Sequence, residues 1–297
     1  MPKSRILYIV TASISFLGVA FTLASYVTFQ HLALNNRTAS WISELFLSLG
    51  AGIIQSVILF LFLEQLYARR ERKEELSRRQ AERSHDLSLR REELQVQCIA
   101  EFRRASKEED RQVVADKMRS LDLFRGADLS GLDFSKLRLD QADFTDARMV
   151  RMSFVDTDLE GSCLSGADLS QSFLLRVKMK RCKAESTSFV RCDASDVDFD
   201  ESCLRNASFQ FGQFPQARFD DADLSGALLD RARFEGASLV RTNLSGASLV
   251  STEFSGARLT DAEITAGALQ KAVLSTSTVM PNGIYWRMEA ENPKQDI

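Results

Sequence analysis

The chain has 297 residues, of which 44% are hydrophobic and 27% charged, and its formal net charge at pH 7 is −3. These values are typical of a folded protein of one to three domains. Four of its five cysteines lie between residues 123 and 280, where there is no histidine. The sequence therefore argues against a zinc site and a cysteine–histidine nucleophile, and it predicts no catalytic residue, metal or cofactor.

Two apolar segments near the N-terminus predict a transmembrane hairpin formed by residues 1–66. Residues 6–29 contain no charged side chain, and residues 42–66 keep 19 uncharged positions between Glu44 and Glu64. Both segments are long enough to cross a bilayer as helices. A cleaved signal peptide is the alternative for the first segment, but its apolar run is longer than is usual for one, so we expect a retained helix.

Basic residues on the outer flanks of these segments predict the topology. Lys3 and Arg5 precede the first segment and four basic residues follow the second, whereas the loop between them contains a single arginine. Because positive flanks stay inside, the N-terminus and the rest of the chain are predicted to be cytoplasmic. The second flank is also a candidate contact for anionic lipid headgroups, with plain anchoring as the alternative. It consists of Arg69, Arg70, Arg72 and Lys73.

The second apolar segment contains a row of small residues. Ser48, Gly52 and Ser56 are four apart, which predicts close packing against another helix in the membrane. Two interpretations stay open, namely a homo-oligomer of the chain and packing between the two helices of one hairpin. Membrane lipids and a second copy of the chain are therefore among the predicted partners.

Residues 67–122 predict a charged helical stalk that ends in a capping helix. The segment is rich in Arg, Glu, Lys and Gln and has no Pro or Gly as far as Leu121. Ser106 and Glu109 form a capping-box pattern, so a new helix is expected to start near Lys107. Its apolar face, which should cover the next domain, consists of Val114, Met118 and Leu121. A sparse seam that indicates an interrupted coiled coil consists of Leu76, Leu87, Leu94 and Cys98.

A repeat of five residues extends from Phe124 to Val279. A large apolar residue returns at each fifth position, and among these 32 positions only Ala184 and Ala194 are small. A second, smaller residue that also points inward lies two positions before each of them. A period of five fits neither the 3.6 residues of an α-helix turn nor the alternation of a strand. A fixed internal repeat of this kind indicates a solenoid.

The segments GADLS, QADFT and RTNLSGASLV resemble the pentapeptide-repeat family, whose consensus is A-(D/N)-L-x-x. The resemblance implies a right-handed, four-sided β-helix in which one pentad forms each side and four pentads form one coil. Residues 123–280 would then make about eight coils, and the fold class is mainly β, preceded by the hairpin and the stalk. Residues 281–297 are predicted to be a C-terminal cap and tail, with Ile284, Tyr285 and Trp286 over the last coil.

A coil of 20 residues makes a prediction inside the sequence, because residues 20 apart must then lie over one another. Outward residues at this interval alternate in charge, which predicts ladders of ion pairs between coils. The basic run from Arg176 to Lys183 is thereby explained without a phosphate-binding patch. The two alternating columns consist of Lys136, Asp156, Arg176 and Asp196, and of Arg138, Asp158, Lys178, Asp198 and Arg218.

An apolar group interrupts these charges. Phe173 and Leu175 flank Leu174 at positions that should face water, and Val155 should lie one coil below Leu175. We predict a docking patch for an unidentified protein partner, made of Val155, Phe173 and Leu175. The alternative is a slightly apolar sheet surface without a partner.

The function predicted from the sequence is a membrane-anchored, non-enzymatic scaffold that presents a cytoplasmic β-helix for protein–protein interaction. The resemblance implies one alternative, since some pentapeptide proteins imitate DNA and bind type II topoisomerases. Residues 123–280 contain 23 acidic and 18 basic side chains, and a net charge of −5 with interleaved signs argues against such mimicry. Regulation of a channel or transporter through the hairpin is a further alternative. No nucleic acid partner is expected.

Overall fold

The computed structural model describes residues 37–287 together with Phe16, Val19, Ala20 and Leu23. In residues 37–287 the helices are α1 (Arg37–Arg104), α2 (Glu108–Ser120) and α3 (Ala266–Leu269), and a β-helix follows α2 and includes α3 in its last coil. The chain divides into two units, Met1–Leu87 and Ser88–Ile297.

The predicted transmembrane hairpin is wrong. Residues 42–66 belong to α1, which continues without a break through the charged sequence as far as Arg104. In the part of the chain that the structure describes, no helix is both long enough and apolar enough to cross a membrane. The first predicted span, residues 6–29, lies outside the described residues except for the four named above. The predicted multi-pass location, with the N-terminus and the β-helix on the cytoplasmic side, is wrong together with the hairpin.

The β-helix is built from residues that pair with residues 20 positions later. Asp128 forms a parallel bridge with Arg148 and Asp133 with Ser153, and the same register continues up the solenoid. One column contains eight stacked residues, from Asp133 to Val273. The β-helix and its coil of 20 residues are thus confirmed. The expectation of a mainly β chain needs correction, because residues 37–287 contain isolated bridges and no continuous strand.

The sequence pattern repeats every five residues because each position of the pentad has its own structural role. The Asp or Asn at the second position accepts a hydrogen bond from the backbone N–H two residues later, as from Ser130 to Asp128 (3.1 Å) and from Ser170 to Asp168 (3.0 Å). At the corner, every fifth residue from Gly126 to Asp261 has a positive φ. A positive φ at the third residue of a turn is typical of type II, so each pentad ends in the same turn.

The core consists of the predicted large residues, and their rings stack from coil to coil. The ring centroids of Phe214 and Phe234 are 5.3 Å apart, and those of Phe234 and Phe254 are 5.5 Å apart, in one column of residues that are 20 apart. Gly212 occupies the small inward position beside Phe214. A Cβ there would lie 2.5 Å from Phe214 Cε2, so the ring leaves room only for glycine.

Both α2 and the end of α1 cover the first coil. Ala115 and Met118 of α2 are buried, but Leu121 is half exposed, so that part of the predicted apolar face is wrong. The predicted capping box is also wrong, because the N-cap is Lys107 and no side chain caps it. Nothing in the sequence pattern indicates that α1 contributes Phe102, whose ring lies 4.9 Å from that of Phe134.

Polar side chains of the two helices form the hydrogen bonds that a further coil would otherwise form below the first coil. The carbonyl groups of the first coil have no coil beneath them to donate a hydrogen bond, and an open edge of this kind would template aggregation. Gln112 donates to the carbonyl of Arg138 (3.0 Å) and accepts from its N–H (2.9 Å). Arg111 and Arg119 donate to the carbonyls of Asp133 and Asp140.

The register shifts by one residue at the other end of the β-helix. Glu253 pairs with Val273, 20 residues later, whereas Arg258 pairs with Val279, 21 residues later. Thr278 is therefore the buried residue of the last side, and its hydroxyl donates to the carbonyl of Phe254 (2.7 Å). The prediction of an uninterrupted repeat to residue 279 is wrong, because one extra residue is accommodated between Val273 and Val279.

The cover of the last coil differs from the prediction. Ile284 and Tyr285 are exposed, and Tyr285 pairs with Val279 in an antiparallel bridge at the side. Instead, α3 replaces one side of the coil, and Leu269 and Leu274 pack against the core. The hydroxyl of Thr265 caps α3 by accepting from the N–H of Ala268.

Candidate docking surface

The three residues of the predicted docking patch lie on one side of the β-helix. Phe173 is 57% exposed, and Val155 and Leu175 are half-buried. Phe173 pairs with Ser153 in the coil below, and the carbonyl of Leu175 accepts from the N–H of Asp156 (3.0 Å). Val155 and Leu175 are thus one coil apart in the same column. The carbonyls of Val155, Phe173 and Leu175 all accept hydrogen bonds from the coil below, and their apolar side chains lie on the outer surface of this side.

An ion pair borders the patch. Arg176 donates from Nε to Asp156 Oδ1 (2.6 Å) and from Nη2 to Oδ2 (2.9 Å). The hydrogen bond from Arg176 lowers the pKa of Asp156 below its ordinary value. The patch is therefore an apolar group beside a fixed, neutralised pair of charges.

The predicted charge ladders are present in part. Arg176 pairs with Asp156, and Lys178 Nζ lies 3.8 Å from Asp158 Oδ2. Arg218 departs from its column, since it pairs with the buried carboxylate of Asp200 rather than with Asp198. Burial raises the pKa of Asp200, even though Arg218 donates to it. The remaining pairs of the basic run from Arg176 to Lys183 are Lys180 with Glu201 and Arg181 with Glu160.

The cysteines have the environment of packing residues. All five are free thiols, and burial raises the pKa of Cys182 and of Cys192 to about 12. Burial, together with a hydrogen bond from the thiol to Glu185 Oε1 (3.2 Å), raises the pKa of Cys203. No group of residues that could ligate a metal ion is found in residues 37–287. A thiol with a raised pKa is a poor nucleophile, so Cys182, Cys192 and Cys203 are not activated thiols.

A row of arginines that sequence reasoning missed lies along one corner of the β-helix. We call it the arginine ridge. Its residues are 20 apart, like those of the charge ladders, so reading the sequence at that interval can reveal it. The ladders are conspicuous because their charges alternate in sign, whereas all the charges of the ridge are positive. The arginine ridge consists of Arg151, Gln171, Arg191, Phe211 and Arg231, all exposed.

The candidate residues of the first unit lie on α1. Ser56 is exposed and its hydroxyl donates to the carbonyl of Gly52 (2.9 Å), within the helix itself. Arg70 Nε lies 3.0 Å from Glu74 Oε1, one helical turn away. A helix contact at Ser48, Gly52 and Ser56, and a headgroup contact at the basic flank after residue 66, stay predictions. The basic residues in question are Arg69, Arg70, Arg72 and Lys73, all exposed.

A comparison with protein-family models finds a match to pentapeptide repeats, in eight copies. The matched residues include 123–161, 133–171, 162–200, 217–256, 227–265 and 237–275. These ranges fall within the stacked bridges of the β-helix. None of the curated proteins compared with the chain matches it.

Solved structures of the same type of repeat are also similar. Full-length QnrB1, a plasmid-mediated fluoroquinolone resistance protein, is 17% identical over 54% of this chain and 86% of its own, with a TM-score of 0.27. HetL from the cyanobacterium Nostoc sp. strain PCC 7120, which is involved in the regulation of heterocyst differentiation, is 21% identical over 54% of this chain and 88% of its own, with a TM-score of 0.23. At such TM-scores these likenesses carry no argument about the partner of this chain.

Proposed function

Because the chain belongs to the pentapeptide-repeat family, we propose that its β-helix is a non-enzymatic scaffold that binds a protein partner. The proposed docking surface is the patch of Val155, Phe173 and Leu175. The observation that carries the proposal is Phe173, a large aromatic side chain that is 57% exposed in a column whose other members, apart from Val273, are polar or charged. Aromatic residues in such positions are enriched at protein interfaces.

The rigidity of the backbone supports this function. Phe173 donates to the carbonyl of Met152 (2.9 Å), and its own carbonyl accepts from Phe154 (2.8 Å), so both of its backbone groups are fixed by the coil below. A surface that is ordered before binding loses little conformational entropy when a partner docks. The scaffold therefore presents its apolar group without rearrangement.

The alternative of DNA mimicry toward a type II topoisomerase receives little support from the charges. The acidic residues of the β-helix are in large part neutralised by basic neighbours, as in the pairs Arg176–Asp156, Arg205–Glu185 and Arg241–Asp221. A DNA mimic needs a continuous negative surface. Identification of the partner decides between these functions.

The experiment compares partner capture by the tagged full-length chain and by two variants. Phe173→Gln removes the exposed ring. Val273→Gln is a matched control, because Val273 occupies the same column and is also exposed, five coils higher. The proposal predicts that a protein captured by the wild type and by Val273→Gln is lost with Phe173→Gln. Equal capture by both variants would contradict it, and a topoisomerase among the captured proteins would favour the alternative.

A further inference from the structure

The arginine ridge contains an aromatic ring between two guanidinium groups. Arg191 Cζ lies 5.6 Å and Arg231 Cζ lies 5.5 Å from the centroid of the Phe211 ring. Arg191 is one coil below Phe211 and Arg231 is one coil above it. Two coils below Arg191, Arg151 donates from Nε to Gln171 Oε1 (2.9 Å). Cation–π contacts and this hydrogen bond fix the side chains in a vertical row.

The arginines of the ridge form no direct ion pair within residues 37–287. Arg151, Arg191 and Arg231 lie beyond ion-pair distance of every carboxylate there, although the charge of Arg231 also acts on Asp230, its neighbour in the chain. A neighbouring corner shows the usual arrangement, since Arg181 pairs with Glu160, and Arg241 Nη2 lies 2.6 Å from Asp221 Oδ2. The ridge is therefore a line of three positive charges without a direct ion pair.

Phe211 has a conformation that is costly for its type. Its φ is 61°, the left-handed region that every corner from Gly126 to Asp261 shares, and Phe211 is the one apolar side chain among those corners. The ring is also 45% exposed, so burial does not offset this strain. A strained, exposed aromatic residue is a reason to look for a functional role. The contact that it offers is an apolar surface between two positive charges.

We propose that the arginine ridge binds an acidic segment of a protein partner. Carboxylates of the segment pair with Arg151, Arg191 and Arg231, and an apolar side chain packs on Phe211. This inference rests on the proposed scaffold function and gives its partner a chemistry. The ridge also borders the docking patch, because Gln171 is two residues before Phe173.

The spacing of the ridge and the charge of the β-helix favour an acidic protein over a nucleic acid. Successive arginines are two coils apart, or about 10 Å. That is close to the ~10.5 Å between residues seven apart on one face of an α-helix. Residues 123–280 have a net charge of −5, from 18 basic and 23 acidic side chains, and this charge opposes any negative ligand. A DNA duplex carries about one negative charge per 1.7 Å of its axis, so it brings far more charge against the β-helix than a short acidic segment does.

The test measures binding of a fluorescein-labelled random copolymer of glutamate and tyrosine to the purified full-length chain by fluorescence anisotropy. The ridge variant is Arg191→Gln/Arg231→Gln. The control variant is Lys183→Gln/Arg258→Gln, which removes the same charge from two exposed basic residues on other sides. A labelled DNA duplex is the second probe, and Phe211→Asn tests the aromatic contact in a residue type that tolerates positive φ.

We expect the wild type and the control variant to bind the copolymer alike, the ridge variant to bind at least about tenfold more weakly, and Phe211→Asn to bind more weakly than the wild type. Equal loss in the ridge and control variants would show non-specific attraction and overturn the inference. Tighter binding of the DNA duplex than of the copolymer, or no binding of the copolymer by the wild type, would also overturn it. This readout does not use Phe173, so its failure leaves the proposed scaffold function testable by partner capture.

Discussion

Arg176 lies directly over Asp156, and its guanidinium donates two hydrogen bonds to that carboxylate across one coil. The two residues are 20 apart in the chain, so the pair is a direct consequence of the coil length. Because the Arg176 hydrogen bond lowers the pKa of Asp156, the pair also makes stability depend on pH.

The first prediction concerns this pH dependence. A carboxyl group whose pKa is lower in the folded state contributes stability above its ordinary pKa of about 3.9 and loses it as the pH falls through the folded pKa. Asp156→Asn should therefore lower the melting temperature at pH 7 by more than it does at pH 3. Asp146→Asn is the control. Asp146 has the same place in its own pentad as Asp156, at another corner of the β-helix, and it forms no ion pair within residues 37–287. If the melting temperature of Asp156→Asn differs from that of the wild type by the same amount from pH 7 to pH 3, the lowered pKa of Asp156 is contradicted.

The second prediction concerns packing beside Phe214. Gly212→Ala would place a Cβ 2.5 Å from the Phe214 ring and 3.1 Å from the carbonyl oxygen of Phe209. We expect a loss of about 1–3 kcal/mol in the free energy of unfolding, the usual range for an overpacked core. Gly267→Ala in α3 is the control, because a Cβ there meets nothing within 4 Å. Urea denaturation measures both variants, and a neutral Gly212→Ala would show that the ring has room to move.

The third prediction compares two buried serines at equivalent inward positions. Ser172 Oγ donates to the carbonyl of Met149 (2.9 Å) and accepts from the N–H of Met152 (3.0 Å). Ser162 Oγ is buried and has no hydrogen-bond partner among the described residues. Ser172→Ala should cost about 1–3 kcal/mol of unfolding free energy, whereas Ser162→Ala should be neutral or stabilising. Equal effects of the two substitutions in denaturant titrations would refute this difference.

The fourth prediction concerns the cover of the first coil. Gln112→Leu removes the amide that pairs with both the N–H and the carbonyl of Arg138, two hydrogen bonds worth about 0.5–1.5 kcal/mol each. We expect lower stability and faster aggregation, measured by denaturation and light scattering. Gln97→Leu is the control, because Gln97 bonds only to Glu101 within α1. If both variants behave like the wild type, the helices do not protect the open edge.

The repeat could be predicted from the sequence because its period is set by local geometry. Every pentad needs an inward residue such as Leu129, a small partner such as Ala127 and an acceptor such as Asp128, so the pattern is visible at each step. The stacking of Arg176 on Asp156 follows from four pentads per coil. These features depend on residues that are close in sequence or at one fixed interval.

The parts that the sequence does not predict depend on contacts without a period. Phe102 is surrounded in sequence by charged residues, and only its packing on Phe134 shows that α1 covers the first coil. Ser277 and Thr278 are both able to fill the last small inward position, so the sequence pattern does not reveal the one-residue shift. The prediction of a transmembrane hairpin rests on apolar runs alone. Hydropathy does not show where a helix ends, and α1 runs through residue 66 into the charged segment.

The most direct test of the fold measures distances between spin labels in one column. In a variant without the five native cysteines, labels are placed at Arg138 and Ser238, and at Arg138 and Arg258, which the register puts five and six coils apart. Double electron–electron resonance should give distances of about 24 Å and 29 Å, because each coil adds about 4.8 Å. Distances that do not increase by one coil between the two pairs would contradict the stacking of residues 20 apart.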